Sequence, residues 1–189
     1  MDKPVVLITG ALSGIGRATA IAFAKNGATV VVSGRHDEAG KALAEELRSF
    51  GSEAEFINAD VRKEEDVRAL MDRTIEQFGR LDVAVNNAAG AAVYVGSKHA
   101  VEGITKSVAL EVVRSGLRVN AVAPGATDTD MLTRFTGTPE NKAALVGGVP
   151  MDRLGLAEEI ANGIVFIASD EASFITGHIL NIDGGLTIH

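Results

Sequence analysis

The chain has no cysteine and no tryptophan, and its 189 residues include one tyrosine and four prolines. Without cysteine there is neither a disulfide framework nor a thiolate metal site, which fits a reducing compartment. Apolar runs are broken by Gly, Asp, Lys or Arg well short of the roughly 20 residues that a membrane-spanning helix needs. Met1-Asp2-Lys3-Pro4 leads straight into a strand-like run, which makes a poor secretory signal. Positive charge is short as well. A formal net charge of −7 argues against nucleic acid or an anionic membrane as partner, since both select basic patches. The histidines, His36, His99, His178 and His189, show no metal-ligand spacing, so no metal is expected. The address these absences leave is the cytoplasm. What remains is a chain with 46% hydrophobic residues, enough for one substantial core and short for two domains.

The most informative stretch is Val5 to Gly16. The apolar run Val5-Val6-Leu7-Ile8 gives way to Thr9-Gly10-Ala11-Leu12-Ser13-Gly14-Ile15-Gly16 and then to a helical pattern. Gly10 turns the chain out of a strand, Gly14 lets backbone approach a ligand, and Gly16 lets the next helix lie close to the sheet. A helix start there offers unpaired N–H groups and positive partial charge to a diphosphate. The spacing is G-x-x-x-G-x-G with no Lys-Ser/Thr after it, so it is not a P-loop. A plain strand-to-helix turn is the competing reading of the glycines alone.

Further on, strand-like runs and helical patterns alternate. Asn26-Gly27 stops the first helix, and 28–33 and 54–59 read as the second and third strands. Between and after them, Leu43, Leu47 and Phe50, then Val67, Leu70, Met71, Thr74, Ile75 and Phe78, recur at helical spacing. Residues 81–86 make a fourth strand and 117–122 a later one. Val101, Ile104, Val108 and Val112 give one apolar helix face, and Ile160, Ile164 and Ile167 another. Such alternation predicts an α/β protein with a doubly wound parallel sheet, three layers and a single domain over 1–189, its ligand at the carboxyl ends of the strands. The stretch 129–150 is polar with weak periodicity and reads as a mobile loop over the substrate.

Tyr94-Val95-Gly96-Ser97-Lys98 is the second strong signal. Tyr94 and Lys98 are four residues apart and share a face if helical. A phenol of pKa about 10 is a poor acid or base at neutral pH, and a neighbouring ammonium would bring it into range. That pairing suits general acid/base work on a carbonyl or alcohol.

Taken in order, these motifs resemble the short-chain dehydrogenase/reductase family. Thr9 to Gly16 is similar to its T-G-x-x-x-G-I-G, Asn86-Asn87-Ala88-Ala89-Gly90 to its N-N-A-G, Tyr94 to Lys98 to its Tyr-x-x-x-Lys, and Pro124 to Thr129 to its P-G-x-x-x-T. Arg153-Leu154-Gly155 with Glu158-Glu159-Ile160-Ala161 resembles its R-x-G-x-P-E-E-I-A, with Ala157 for the proline. The resemblance implies a Rossmann-like fold and an NAD(P)(H)-dependent oxidoreductase that interconverts a secondary alcohol and a ketone, with Tyr94 as acid/base and Lys98 tuning it and binding ribose. It implies cofactor contacts from Gly10, Ser13, Gly14, Ile15, Gly16, Arg35, Asp60, Val61, Asn87, Tyr94, Lys98, Pro124, Gly125, Thr127 and Thr129. Asn86 would tie the sheet together, and Asp60 would touch the adenine unless it caps the next helix. The family also implies a homo-oligomer, dimer or tetramer. Gly34 falls at its acidic position with Arg35 just after, which favours NADP(H) over NAD(H), because an arginine pairs with a 2′-phosphate. An arginine stacked on adenine in an NAD enzyme is the alternative. On this reading, Gly34→Asp with a neutral residue at 35 shifts preference towards NAD(H).

One departure stands out. The family has a catalytic serine about a dozen residues before the tyrosine, at the end of a fifth strand, and a helix and strand between its N-N-A-G and that tyrosine; here no serine or threonine lies between Thr74 and Tyr94. About 50 to 60 residues are lacking, by ordinary element and loop lengths. Two origins are open: a segment omitted from the sequence with its junction near 88–91, or a true internal deletion. The stability cost of excising a central strand favours the first. The second would leave a non-catalytic dinucleotide-binding or scaffold domain.

Overall fold

Apolar, β-branched runs too short for helices form the first strands: Val5–Thr9 (β1), Thr29–Gly34 (β2), Ala54–Asn58 (β3) and Val83–Asn86 (β4). The computed structural model describes residues 3–87 and 94–188, those from 94 to 99 by backbone alone. The expected junction at 88–91 and the side chains of Tyr94 and Lys98 therefore lie outside the described residues.

The four strands make one parallel sheet in the order β3-β2-β1-β4, with Val6 level with both Val30 and Val83. All five residues of β1 and the first five of β2 are buried, as expected where both faces of a parallel sheet are covered. Alternate residues take alternate faces. On one face Leu7, Val31 and Ile57 pack with Leu70 of helix Glu64–Phe78 (α3). On the other, Phe56 fills the place a side chain at Gly40 would take, which seats helix Asp37–Ser49 (α2) against β3. Helix Gly14–Lys25 (α1) buries Ala18, Ala20, Phe23 and Ala24 and ends at Gly27, whose φ of +83° suits glycine. These residues realise the expected doubly wound, Rossmann-like arrangement.

The rest of the chain comprises helix Tyr94–Val112 (α4), strand Ala121–Pro124 (β5), helices Asp130–Thr136 (α5), Pro139–Val146 (α6) and Ala157–Ala168 (α7), and strand Ile179–Ile182 (β6). β5 and β6 pair in parallel as a separate two-stranded sheet. Contacts within the chain gather into two compact units, 1–89 and 90–189.

Two expectations are corrected here. The loop expected at 129–150 is two short helices. Thr129 and Thr138 cap them, accepting from the N–H groups of Leu132 and Asn141, Pro139 sits at the first position of α6, and Gly137 at φ +71° separates the two. The strand expected at 117–122 begins at Ala121, because the residues before it bond through side chains. The Arg118 guanidinium donates to the carbonyls of Ile167, Ser169 and Ile175, and the Asn120 amide donates to that of Ile175.

Candidate active site

The turn after β1 is built for close approach. Gly10 and Gly14 have φ of +62° and +52°, a region that L side chains rarely adopt. Gly16 needs glycine for space instead: a Cβ there would stand 2.6 Å from the Asn87 amide nitrogen and nearer still to the Gly10 carbonyl. That amide donates to the Gly10 carbonyl at 3.1 Å, while the Asn87 backbone N–H donates to the Thr9 hydroxyl at 3.3 Å. Asn87, one residue past the Asn86 expected to tie the sheet together, thus ties the end of β4 to the turn after β1.

The start of α1 is also left uncompensated. Helices α2, α3, α5, α6 and α7 each carry acidic residues in the first turn, whereas α1, like α4, carries none. Ser13 precedes it in extended conformation, exposed, with its hydroxyl making no cap bond. A ring of close-packed glycine backbone beside a helix whose first turn holds no acidic residue could hold a dinucleotide diphosphate, with Gly10, Ser13, Gly14, Ile15 and Gly16 around it.

At the ends of β2 and β3 the expected adenosine contacts come together. Arg35 is exposed just past Gly34, and its charge adds to the field on Asp60. Asp60 does not cap α3. Its carboxylate is held by the Arg62 guanidinium, through Nε at 2.9 and 3.0 Å and a shorter contact from Nη2, and the Arg62 N–H adds another bond. These bonds hold its carboxyl far below the usual range. Val61 beside it is exposed. Reading the sequence missed both the Arg62 clamp and the packing of Leu12 against Gly34; a basic residue two places after Asp60 was the available signal for the first.

In the second unit, Tyr94 and Lys98 fall in the first turns of α4, four residues apart. Pro124 ends β5, and Gly125 lies so close to β6 that a Cβ would stand 2.6 Å from the Asp183 Cα. The Thr127 hydroxyl donates to the Gly125 carbonyl at 2.9 Å and is buried, whereas the Thr129 hydroxyl serves as the α5 cap. A small cavity adjoins Gly125, Met151, Glu159, Asp183 and Gly184. Glu159 is fixed at its edge, accepting from the Leu156 N–H at 2.8 Å and paired with Arg153, which together lower its pKa to about 2.

Comparison with known proteins agrees with this geometry. A family model described as short chain dehydrogenase matches residues 4–92, and one described as enoyl-(acyl carrier protein) reductase matches residues 89–187. An uncharacterized oxidoreductase of Thermotoga maritima is 37% identical, the match covering 97% of each chain. A 3beta-hydroxysteroid dehydrogenase of Mediterraneibacter gnavus is 33% identical over all of this chain and 96% of its own. The former alignment runs over 245 positions, more than the 189 residues present here. Among solved structures, an actinorhodin polyketide ketoreductase variant with NADPH superposes with a TM-score of 0.92 at 27% identity, covering 100% of this chain and 98% of the other.

Proposed function

The chain belongs to the short-chain dehydrogenase family and is an NAD(P)-dependent oxidoreductase acting on CH–OH or C=O groups, and from that premise we propose that it interconverts a secondary alcohol and a ketone with Tyr94 as general acid/base. The observation that carries the reading is the glycine cradle at Gly10, Gly14 and Gly16 beside an α1 terminus free of acidic residues. The nicotinamide, when bound, supplies or takes up the hydride. The chain's own part is to hold and to protonate. The start of α1 carries the diphosphate, Asp60 and Val61 flank the adenine, and Asn87 keeps the cradle in shape. Pro124, Gly125, Thr127 and Thr129 line the nicotinamide end. Tyr94 moves a proton to or from the substrate oxygen, and Lys98, one helical turn on, stabilises the phenolate and holds the ribose.

Arg35 beside a strand end without an acid favours NADP(H) over NAD(H), and the NADPH in the polyketide ketoreductase structure is in keeping with that preference. The substrate is a small alcohol or carbonyl compound, the chain works in the cytoplasm, and it assembles as a homo-oligomer. With a purified carbonyl panel and NADPH, Tyr94→Phe lowers kcat by about 100-fold or more. Retention of most turnover by that variant would refute the role of Tyr94.

A second reading is favoured by a separate observation. An alignment of 245 positions against 189 residues, with no serine or threonine from residue 75 to residue 93, suits a chain from which a helix–strand segment of its relatives has been lost. Such a chain would bind the dinucleotide without turning over. Tight NADP(H) binding with no hydride transfer to any member of the panel would favour it, and robust turnover would dismiss it.

A further inference from the structure

Discrimination between NAD(H) and NADP(H) is made at the adenosine ribose. A carboxylate at the end of the second strand accepts from the ribose hydroxyls, whereas an arginine there pairs with a 2′-phosphate. In this chain the strand end is Gly34, and its backbone is not in the left-handed region, so conformation does not require glycine there. The Leu12 side chain is what limits the room: a Cβ on Gly34 would stand 2.6 Å from Cδ1 and 2.7 Å from Cγ of Leu12, far inside the ~3.5–4.0 Å at which carbon atoms rest against each other, so the leucine has to turn aside for any side chain there.

Leu12 is half-buried in the turn between β1 and α1. Its neighbour Ala11 donates its N–H to the carbonyl of Ser33 at 3.1 Å, the residue before Gly34. That bond fixes the two backbones one residue upstream of the contact, so Leu12 and Gly34 meet at a spacing neither segment sets alone. Around them the charges are already allotted: Arg62 is committed to Asp60, while Arg35 makes no ion pair among the described residues.

Resting on the cofactor reading above, we propose that Leu12 is a specificity-determining residue. Its side chain occupies the room that the acidic side chain of an NAD(H) site would need at residue 34, so the strand end stays free of carboxylate and Arg35 is left to meet a 2′-phosphate. An aspartate placed at 34 has to displace the leucine or point its carboxylate into methyl groups, where it is desolvated and without a partner. Substitution at 34 and 35 alone therefore does not convert the site, against the simpler expectation from sequence. Leu12 has to be shortened first.

The test is a binding cycle on the wild type, Leu12→Ala, Gly34→Asp and the double variant, reading calorimetric Kd for NADP+ and NAD+ and the melting temperature without ligand. Gly34→Asp alone is expected to weaken NADP+ at least tenfold, to improve NAD+ by less than twofold and to lower the melting temperature. Adding Leu12→Ala is expected to restore the melting temperature and improve NAD+ at least tenfold over Gly34→Asp. If Gly34→Asp does not fold, Gly34→Ala with and without Leu12→Ala reads the same coupling through melting temperature. Equal gain of NAD+ affinity with and without Leu12→Ala, or additive melting temperatures, overturns the role of Leu12 while leaving the cofactor reading intact. A wild type that binds neither dinucleotide overturns the cofactor reading and this proposal with it.

Discussion

The two units of the chain bury their apolar residues very differently. In the first, every residue of β1 is buried, and so are the helix residues that face the sheet from both sides, among them Phe23, Leu43, Leu47 and Leu70. Among the described residues of the second, the buried apolar side chains are Ala109, Val149, Ile160, Ala161, Ile167 and Ala172. Leu110, Phe135, Phe174 and Ile188 there are each more than three-quarters exposed. A parallel strand obtains its burial from neighbours on both edges and helices on both faces, and a sheet of two strands has too few of either. The first unit thus has the core to hold a rigid binding cradle by itself. The second carries the residues proposed for chemistry on a scaffold that leaves much of its apolar surface uncovered, which fits the proposal that relatives possess a helix and strand without counterpart here.

The two units should differ most in what they lose when a side chain is removed. Ile8→Ala removes a fully buried side chain from the middle of the first sheet and should cost about 2–5 kcal/mol in denaturant unfolding. Phe174→Ala removes a fully exposed side chain of the second unit and should stay within about 0.5 kcal/mol. Similar costs at both positions would break the contrast. Thr129→Ala tests whether the second unit still depends on local devices. Loss of the hydroxyl that caps α5 should cost about 1 kcal/mol, and no effect would mean that α5 is held by packing. The smallest expected effect is from pH. Glu159 has a pKa lowered from 4.5 to about 2 by Arg153 and the Leu156 N–H. Its contribution is complete above pH 4.5 and is lost as pH falls towards about 2, so the melting temperature of Glu159→Gln should converge on that of the wild type over that window. Parallel curves would show the pair to be idle.

What the sequence disclosed follows the same division. β1, the glycine turn and α1 were legible because their signals are local: a buried run, glycines where backbone must turn or touch, and a helix stop at Gly27. The helices at 130–146 were missed because their polar composition hid capping threonines and a proline in its favoured first position. The apolar stripe of α3 was legible as a stripe, but Val67, Met71 and Ile75 stay exposed, and among the described side chains of α4 the buried ones are Thr105 and Ala109, not Val101 and Ile104. Periodicity shows that a face is apolar; only the tertiary neighbours decide whether it is covered. The contact of Leu12 with Gly34 joins residues 22 apart through a fixed backbone bond and has no local signature.

Seating of the dinucleotide at the glycine turn of the first unit can be read from amide hydrogen exchange with and without saturating NADP+. Exchange should slow across Gly10 to Arg17, with smaller protection at Gly34–Arg35 and Asp60–Val61. Unchanged exchange across Gly10 to Arg17, or protection confined to the second unit, would contradict it.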